Sequence, residues 1–193
     1  MQNILKEMMG IKEEDLPTLR AYNPDGNKKY KCDTPARMLT SDKITEFMEE
    51  LLEEKLPQIY KSEEIPQSNN GTETILVGLT HDEIVKDVSK NVFVMYYAPW
   101  CKYSKEMQLP WLELSQIMSS KPDTIIAKMD ANANEAPGIF IRNYPTLIYY
   151  PKSNKEGIKF LDTEVDVNTE VLYHWLMEAE ELDQKKMSVK LDL

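Results

Sequence analysis

Cys101 is the side chain in this sequence best able to make and break covalent bonds, and it stands in the run Trp100-Cys101-Lys102-Tyr103-Ser104. Tyr97-Ala98-Pro99 leads in and Lys105 follows. An apolar, strand-like stretch, Val92–Tyr97, precedes this run, and an amphipathic stretch of helical period follows it. The thiol therefore sits at a strand-to-helix turn, where unpaired backbone N–H groups and the positive end of the helix dipole favour thiolate over thiol. Three residues on, where a dithiol site would carry its second sulfur, the chain has Ser104. A hydroxyl at neutral pH neither attacks nor leaves usefully, which excludes a two-cysteine cycle of net oxidation or reduction here. One sulfur can still exchange with a disulfide and wait for another thiol to release it. Ser104 can donate a hydrogen bond to the Cys101 thiolate, and Lys102 and Lys105 add positive charge, so the thiol is expected to titrate below its ordinary value.

No other residue competes for this role. Cys32, the other of the two cysteines, follows a short strand pattern and reads as a small free cysteine with no redox role. His81 reads as part of a helix cap and His174 as the polar side of the last helix, both in solvent. Two cysteines and two histidines complete no metal-ligand spacing, and no metal or cofactor is expected. A formal net charge of −10 over 193 residues argues against nucleic acid or anionic lipid as the main partner. The acid is spread along the chain, with its densest cluster, Glu49, Glu50, Glu53 and Glu54, on the wet face of a helix. The first twenty residues are charged and periodic, unlike a signal peptide, and no apolar run reaches membrane-spanning length. Asn70-Gly71-Thr72 has the form of a glycosylation sequon.

The elements that must position Cys101 follow from pattern. The polar, turn-rich stretch 62–73 reads as a linker. After it come a strand at Thr74–Val77 and a helix from the capping box Thr80-His81-Asp82-Glu83 to about Val88. The strand Val92–Tyr97 follows, then a helix Ser104–Met118 interrupted by Pro110. A strand Thr124–Met129, a short helix Asn134–Ile139, strands Thr146–Tyr150 and Gly157–Leu161, and a helix Thr169–Leu182 complete the pattern. The N-terminal piece repeats its end: Leu16-Pro17-Thr18-Leu19 parallels Tyr144-Pro145-Thr146-Leu147, with a turn, a strand and a capped amphipathic helix after each. The helix Ile4–Ile11 stands before the first copy as Ala136–Ile141 stands before the second. Only the second half of a repeat is present there. So thin a core predicts poor order or packing against something else, and a chain that is a fragment of a longer protein.

Asn91-Val92-Phe93-Val94-Met95-Tyr96-Tyr97-Ala98-Pro99-Trp100-Cys101 resembles the active-site entry of the protein disulfide isomerase family. Ile126-Ala127-Lys128-Met129-Asp130 with Ala133-Asn134-Glu135, and Arg142-Asn143-Tyr144-Pro145-Thr146-Leu147, match that family in order and spacing. The resemblance implies an α/β fold, with a thioredoxin-like mixed sheet flanked by helices over 74–183. It also implies a C-terminal half of a non-catalytic thioredoxin-like domain over 1–61, and leaves a tail at 184–193. A cis Tyr144–Pro145 bond beside the sulfur, with substrate laid along 142–146, is part of the same expectation. So are unfolded or misoxidised client proteins as partners, small thiols such as glutathione as candidates, and the endoplasmic reticulum lumen as location. The last residues, Lys190-Leu191-Asp192-Leu193, are not the Lys-Asp-Glu-Leu retention signal.

The departures from the family are as informative. Its sites read Cys-Gly-His-Cys, whereas Lys102, Tyr103 and Ser104 fill the last three places here. Met95 stands where the family buries a glutamate that serves the second cysteine, and without that thiol a buried carboxylate has no evident task. Pro110 falls one residue later than the family's helix-kinking proline. The expected site is Cys101 as nucleophile with Ser104 as its partner, Trp100, Tyr103, Tyr144 and Pro145 as substrate surface, and Lys102 and Arg142 as modulators. Trp100 also reads as packing and Arg142 as an ordinary surface charge. Two functions stay open: thiol–disulfide isomerisation or capture of clients, and a redox-inactive chaperone or peptide-binding module. A monothiol iron–sulfur carrier fits poorly, because the Cys-Gly-Phe-Ser pattern is missing.

Overall fold

Alternate residues of one strand build both halves of the core. In β4 (Asn91–Tyr97), six of the seven residues are buried, and successive side chains point to opposite faces. Val92, Val94 and Tyr96 join Leu76, Val85, Ala127 and Met129 on one side. Phe93 and Met95 join Trp111, Leu114, Leu147, Leu172 and Leu176 on the other. A strand buried on both faces must be central, and β4 is. In this computed structural model, which describes residues 2–25, 27–69, 71–160 and 167–191, β4 pairs in parallel with β5 (Thr124–Asp130) and antiparallel with β6 (Thr146–Tyr150). β3 (Thr74–Leu76) extends the sheet beyond β5 in parallel, and β7 (Ile158–Lys159) extends it beyond β6 antiparallel. The result is a five-stranded mixed sheet in the order β3-β5-β4-β6-β7. α4 (Lys102–Met118) and α5 (Thr169–Leu191) supply the helical half of the core on the Phe93 side. α3 (Gly78–Val85) buries Val85 on the other.

The chain divides into two compact units, Met1–Lys61 and Ser62–Leu193, and this sheet belongs to the second. The first holds α1 (Gln2–Met9), the antiparallel pair β1 (Arg20–Asn23) and β2 (Lys28–Lys31), and α2 (Ser41–Leu52). Thr40 caps α2 by accepting the Lys43 N–H at 3.3 Å. The core of this unit is thin: Tyr30, Cys32 and Phe47 are buried, with Leu19, Ala21, Leu39, Leu51 and Leu56 packed around them. Leu16–Pro17 is cis in the first unit, as Tyr144–Pro145 is in the second.

Several elements differ from the sequence pattern. α3 begins at Gly78, two residues before the capping box, and Thr80 lies inside its first turn, where its hydroxyl accepts the Val77 N–H at 3.2 Å. α4 begins at Lys102 with Cys101 as its N-cap and runs through Pro110 unbroken. The carbonyl that loses its partner to the proline belongs to Glu106, an exposed residue that water can serve. No helix forms at 134–139. Pro137 and the left-handed Gly138 (φ 72°) favour a turn, and Asn134 is occupied otherwise. Its buried Oδ1 accepts the Glu63 N–H at 2.8 Å and the Gly78 N–H at 3.2 Å, while its Nδ2 donates to Glu63 and to the Asp130 carbonyl.

The stretch 62–73, read as a linker, has neither helix nor strand among its described residues, yet it is tied down. Ser62 accepts the Leu79 N–H at 3.1 Å, Asn69 accepts the Ile75 N–H at 3.0 Å, and Thr72 shares a hydrogen bond with Ser115. α5 continues to Leu191, through most of the stretch read as a tail. Asn70 of the sequon, Leu161 at the end of the expected last strand, and Asp192-Leu193 lie outside the described residues.

His81 is not solvated. It is 1 % exposed, with Nε2 2.7 Å from the Tyr96 hydroxyl and Nδ1 3.0 Å from Asp82 Oδ1, and the Tyr96 hydroxyl is 3.0 Å from that of Tyr150. Burial pushes its pKa below the ordinary histidine value, against the pull of Asp82. The unfolded chain then binds this proton more readily than the folded one, so stability is full above about pH 6.5 and falls as pH drops toward the lower folded value. Urea titrations at about pH 7.5 and about pH 5.5 should show the wild type losing up to about 1.4 kcal/mol more than His81→Gln. Equal losses in the two proteins would mean that His81 titrates alike folded and unfolded.

Candidate functional site

The turn between β4 and α4 holds Cys101 as the N-cap of α4, with φ −76° and ψ 127°. From there its sulfur faces the amides that open the helix. The thiol is held below its ordinary pKa first by the Ser104 N–H, then by the Ser104 hydroxyl and the Tyr103 N–H, against some desolvation. This is the helix-start effect anticipated from sequence. The source differs from the expected lysines. Lys102 is 80 % exposed and its Nζ lies 3.6 Å from Glu106, a carboxylate that opposes the shift.

Ser104 is fully buried. Its Oγ accepts the Ala98 N–H at 3.3 Å, which leaves its proton free to point at Cys101. The cis-proline loop closes the other side: the Cys101 thiol donates to the Tyr144 carbonyl at 3.2 Å. That carbonyl belongs to the residue before cis Pro145.

Behind the sulfur the sheet is apolar. Met95 is fully buried, in register with Lys128 of β5. Lys128 Nζ lies 2.7 Å from Glu73 Oε2 and 3.2 Å from Gln108 Oε1, and Gln108 Nε2 donates to the Ser104 carbonyl at 3.3 Å. A lysine against an apolar sheet needs a counter-charge. Glu73 supplies it from the start of β3, not from the position Met95 holds.

The expected substrate surface divides in two. Tyr103, Tyr144 and Pro145 line an open groove of about 810 Å³ together with Met107, Phe140, Arg142, Lys159 and Phe160. Trp100 is not part of it. It is 64 % exposed, edge-on to Tyr144 at 5.6 Å between ring centroids, with its Nε1 donating to Asn132 at 3.3 Å. Arg142 lies in the groove, its guanidinium 5.6 Å from the Phe140 ring centroid, and it is not a cause of the thiol's shift. Phe140, Lys159 and Phe160 escaped the sequence reading because one lies in a loop and two lie at the edge strand. Only the fold brings them into one groove with Tyr144 and Pro145. Among the described residues no group of three or more His, Cys, Asp or Glu side chains could hold a metal ion, and no helix is long and apolar enough to cross a membrane.

A thiol at the first turn after the central strand, faced by the carbonyl before a cis-proline, defines a thioredoxin-like thiol protein. The thioredoxin family model matches residues 72–175, and the chain belongs to that family, in its protein disulfide-isomerase branch. It is 36 % identical over 152 residues to the protein disulfide-isomerase of Oryctolagus cuniculus, covering 78 % of this chain and 29 % of that one. It is 39 % identical over 117 residues to protein disulfide isomerase-like 1-4 of Oryza sativa subsp. japonica, covering 61 % and 21 %. The chain thus spans less than a third of the length of these relatives. Among solved structures, human ERp44 superposes with a TM-score of 0.48 at 20 % identity, covering 55 % of this chain and 32 % of that one.

Proposed function

We propose that this protein carries out thiol–disulfide exchange on unfolded or misoxidised client proteins through Cys101 alone. The observation that supports this most is the sulfur's setting: partly exposed, stabilised as thiolate by the Ser104 and Tyr103 amides, and beside the cis-proline loop. The Cys101 thiolate attacks one sulfur of a client disulfide, the client S–S bond breaks, and the second client sulfur leaves as thiolate. A client segment extended along the Tyr144–Pro145 loop would pair with backbone groups of that loop. Ser104 cannot resolve the adduct. A thiolate of the client must attack the client sulfur bound to Cys101, forming a rearranged disulfide and returning Cys101 as thiolate, or a small thiol such as glutathione must do so. The first outcome is isomerisation, and slow release is capture. The domain assignment, a Cys-x-x-Ser thioredoxin-like domain preceded by the second half of a non-catalytic one, and a place in the endoplasmic reticulum lumen belong to the same proposal.

The test is to incubate the protein with a scrambled disulfide client, quench with acid and resolve adducts under non-reducing conditions. A covalent adduct that reductant removes and Cys101→Ala abolishes is the expected result. No adduct, or adducts indifferent to Cys101→Ala, would favour the redox-inactive chaperone reading, for which the exposed groove is the supporting observation.

A further inference from the structure

Among the described residues, the lining of the groove beside Cys101 carries charge of the opposite sign to the protein. The chain has 33 acidic and 23 basic side chains, −10 in all, yet the described residues of the groove lining include Arg142 and Lys159 and no carboxylate. Neither cation takes part in an ion pair among the described residues. Arg142 instead lies against Phe140, a ring left 74 % exposed. Tyr103, 68 % exposed, and Met107 face the groove from one turn of α4. Lys159 and Phe160 come from the opposite wall, where β7 registers Lys159 beside Ile148 and the Phe160 N–H bonds the Leu147 carbonyl at 3.0 Å. Large exposed rings flanked by unpaired cations match a ligand that brings both apolar side chains and a carboxylate.

We propose that this groove selects client segments in which the attacked cysteine neighbours large apolar residues and at least one aspartate or glutamate. This deepens the exchange reading of the same site and rests on it for the cysteine. A small anionic thiol such as glutathione would meet the two cations, but it has no large side chain for the aromatic walls. About 810 Å³ is also near the upper end of the roughly 300–1,000 Å³ range of small-molecule sites. The surface field of a protein at −10 by itself favours the opposite preference, for basic segments, so a preference for acid must come from the groove.

The experiment uses the full chain carrying Cys101→Ala, so that no covalent chemistry contributes, and short fluorescent peptides with serine in place of the cysteine. One peptide flanks it with Phe and Glu, the other with Phe and Lys. At low salt the Glu peptide should bind about five- to tenfold tighter, the scale of two exposed charge contacts set against two repulsions. The gap should close to under about twofold near 0.5 M salt. Arg142→Glu with Lys159→Glu should reverse the order. Equal binding, tighter binding of the Lys peptide, or an order unchanged in the double variant would overturn the proposal, as would displacement of the Glu peptide by stoichiometric glutathione. The two readings separate cleanly. Client adducts without a charge preference would sink this inference alone, and a charge preference without client adducts would sink the exchange reading alone.

Discussion

Ser104→Cys is expected to shorten the life of a Cys101–client mixed disulfide by at least about a hundredfold, because intramolecular groups in good geometry act at effective concentrations far above millimolar thiol. Position 104 lies in the first turn of α4, fully buried, and its hydroxyl helps hold the Cys101 thiol below its ordinary pKa. A sulfur there would lie against the mixed disulfide it must attack. The thiolate of residue 104 displaces the client sulfur, which leaves as thiolate, and the two cysteines of the variant end joined as a disulfide. Two features moderate the gain. Burial raises the pKa of the new thiol, and Met95, fully buried behind the site, offers no acceptor for its proton. Acid-quench time courses followed by mass spectrometry would measure the adduct's decay. A lifetime equal to that of the wild type would show that position 104 does not reach the reacting sulfur.

The largest loss of stability is expected from Trp111→Ala. Trp111 is fully buried and packs on Phe93 with ring centroids 4.7 Å apart, and its Nε1 donates to the Ala127 carbonyl at 3.2 Å. It therefore fastens α4 to both β4 and β5. Truncating a buried tryptophan costs about 3–5 kcal/mol, and the stranded carbonyl adds about 1 kcal/mol or more. Against a total of about 5–15 kcal/mol for a typical domain, much of the fold's margin disappears. Trp111→Phe, which keeps a ring but not the donor, should lose about half as much. Urea unfolding followed by circular dichroism would measure both. A loss below about 1 kcal/mol for the alanine variant would mean that α4 is held elsewhere.

The sheet and the reactive turn were legible in sequence because each is written in neighbouring residues. β4 is an unbroken run of apolar side chains after Asn91, the thiol follows at once, and Tyr144-Pro145 announces its own backbone. What escaped depends on residues far apart in the chain. His81 looks like a cap residue until Tyr96 and Tyr150, on two strands of the sheet, come within hydrogen-bonding reach. Asn134 looks like a helix start, yet it joins Glu63, Gly78 and Asp130. Lys102 is adjacent to Cys101 in sequence and points at Glu106 instead, so adjacency was a poor guide to electrostatics there. The groove is the extreme case: Tyr103, Phe140 and Lys159 come from a helix, a loop and an edge strand.

The buried Ser104 has a consequence for timing. A dithiol enzyme carries its own clock, since its second sulfur fixes how long a client is held. With a hydroxyl at 104 and methionine at 95, this site has no second sulfur to act as such a clock. If clients bind as proposed, how long one stays attached to Cys101 would be set by the thiols around it, so residence would lengthen as the surroundings become more oxidising and shorten as they become reducing. The protein would hold its clients longest when reductant is scarce and misoxidised chains are most abundant.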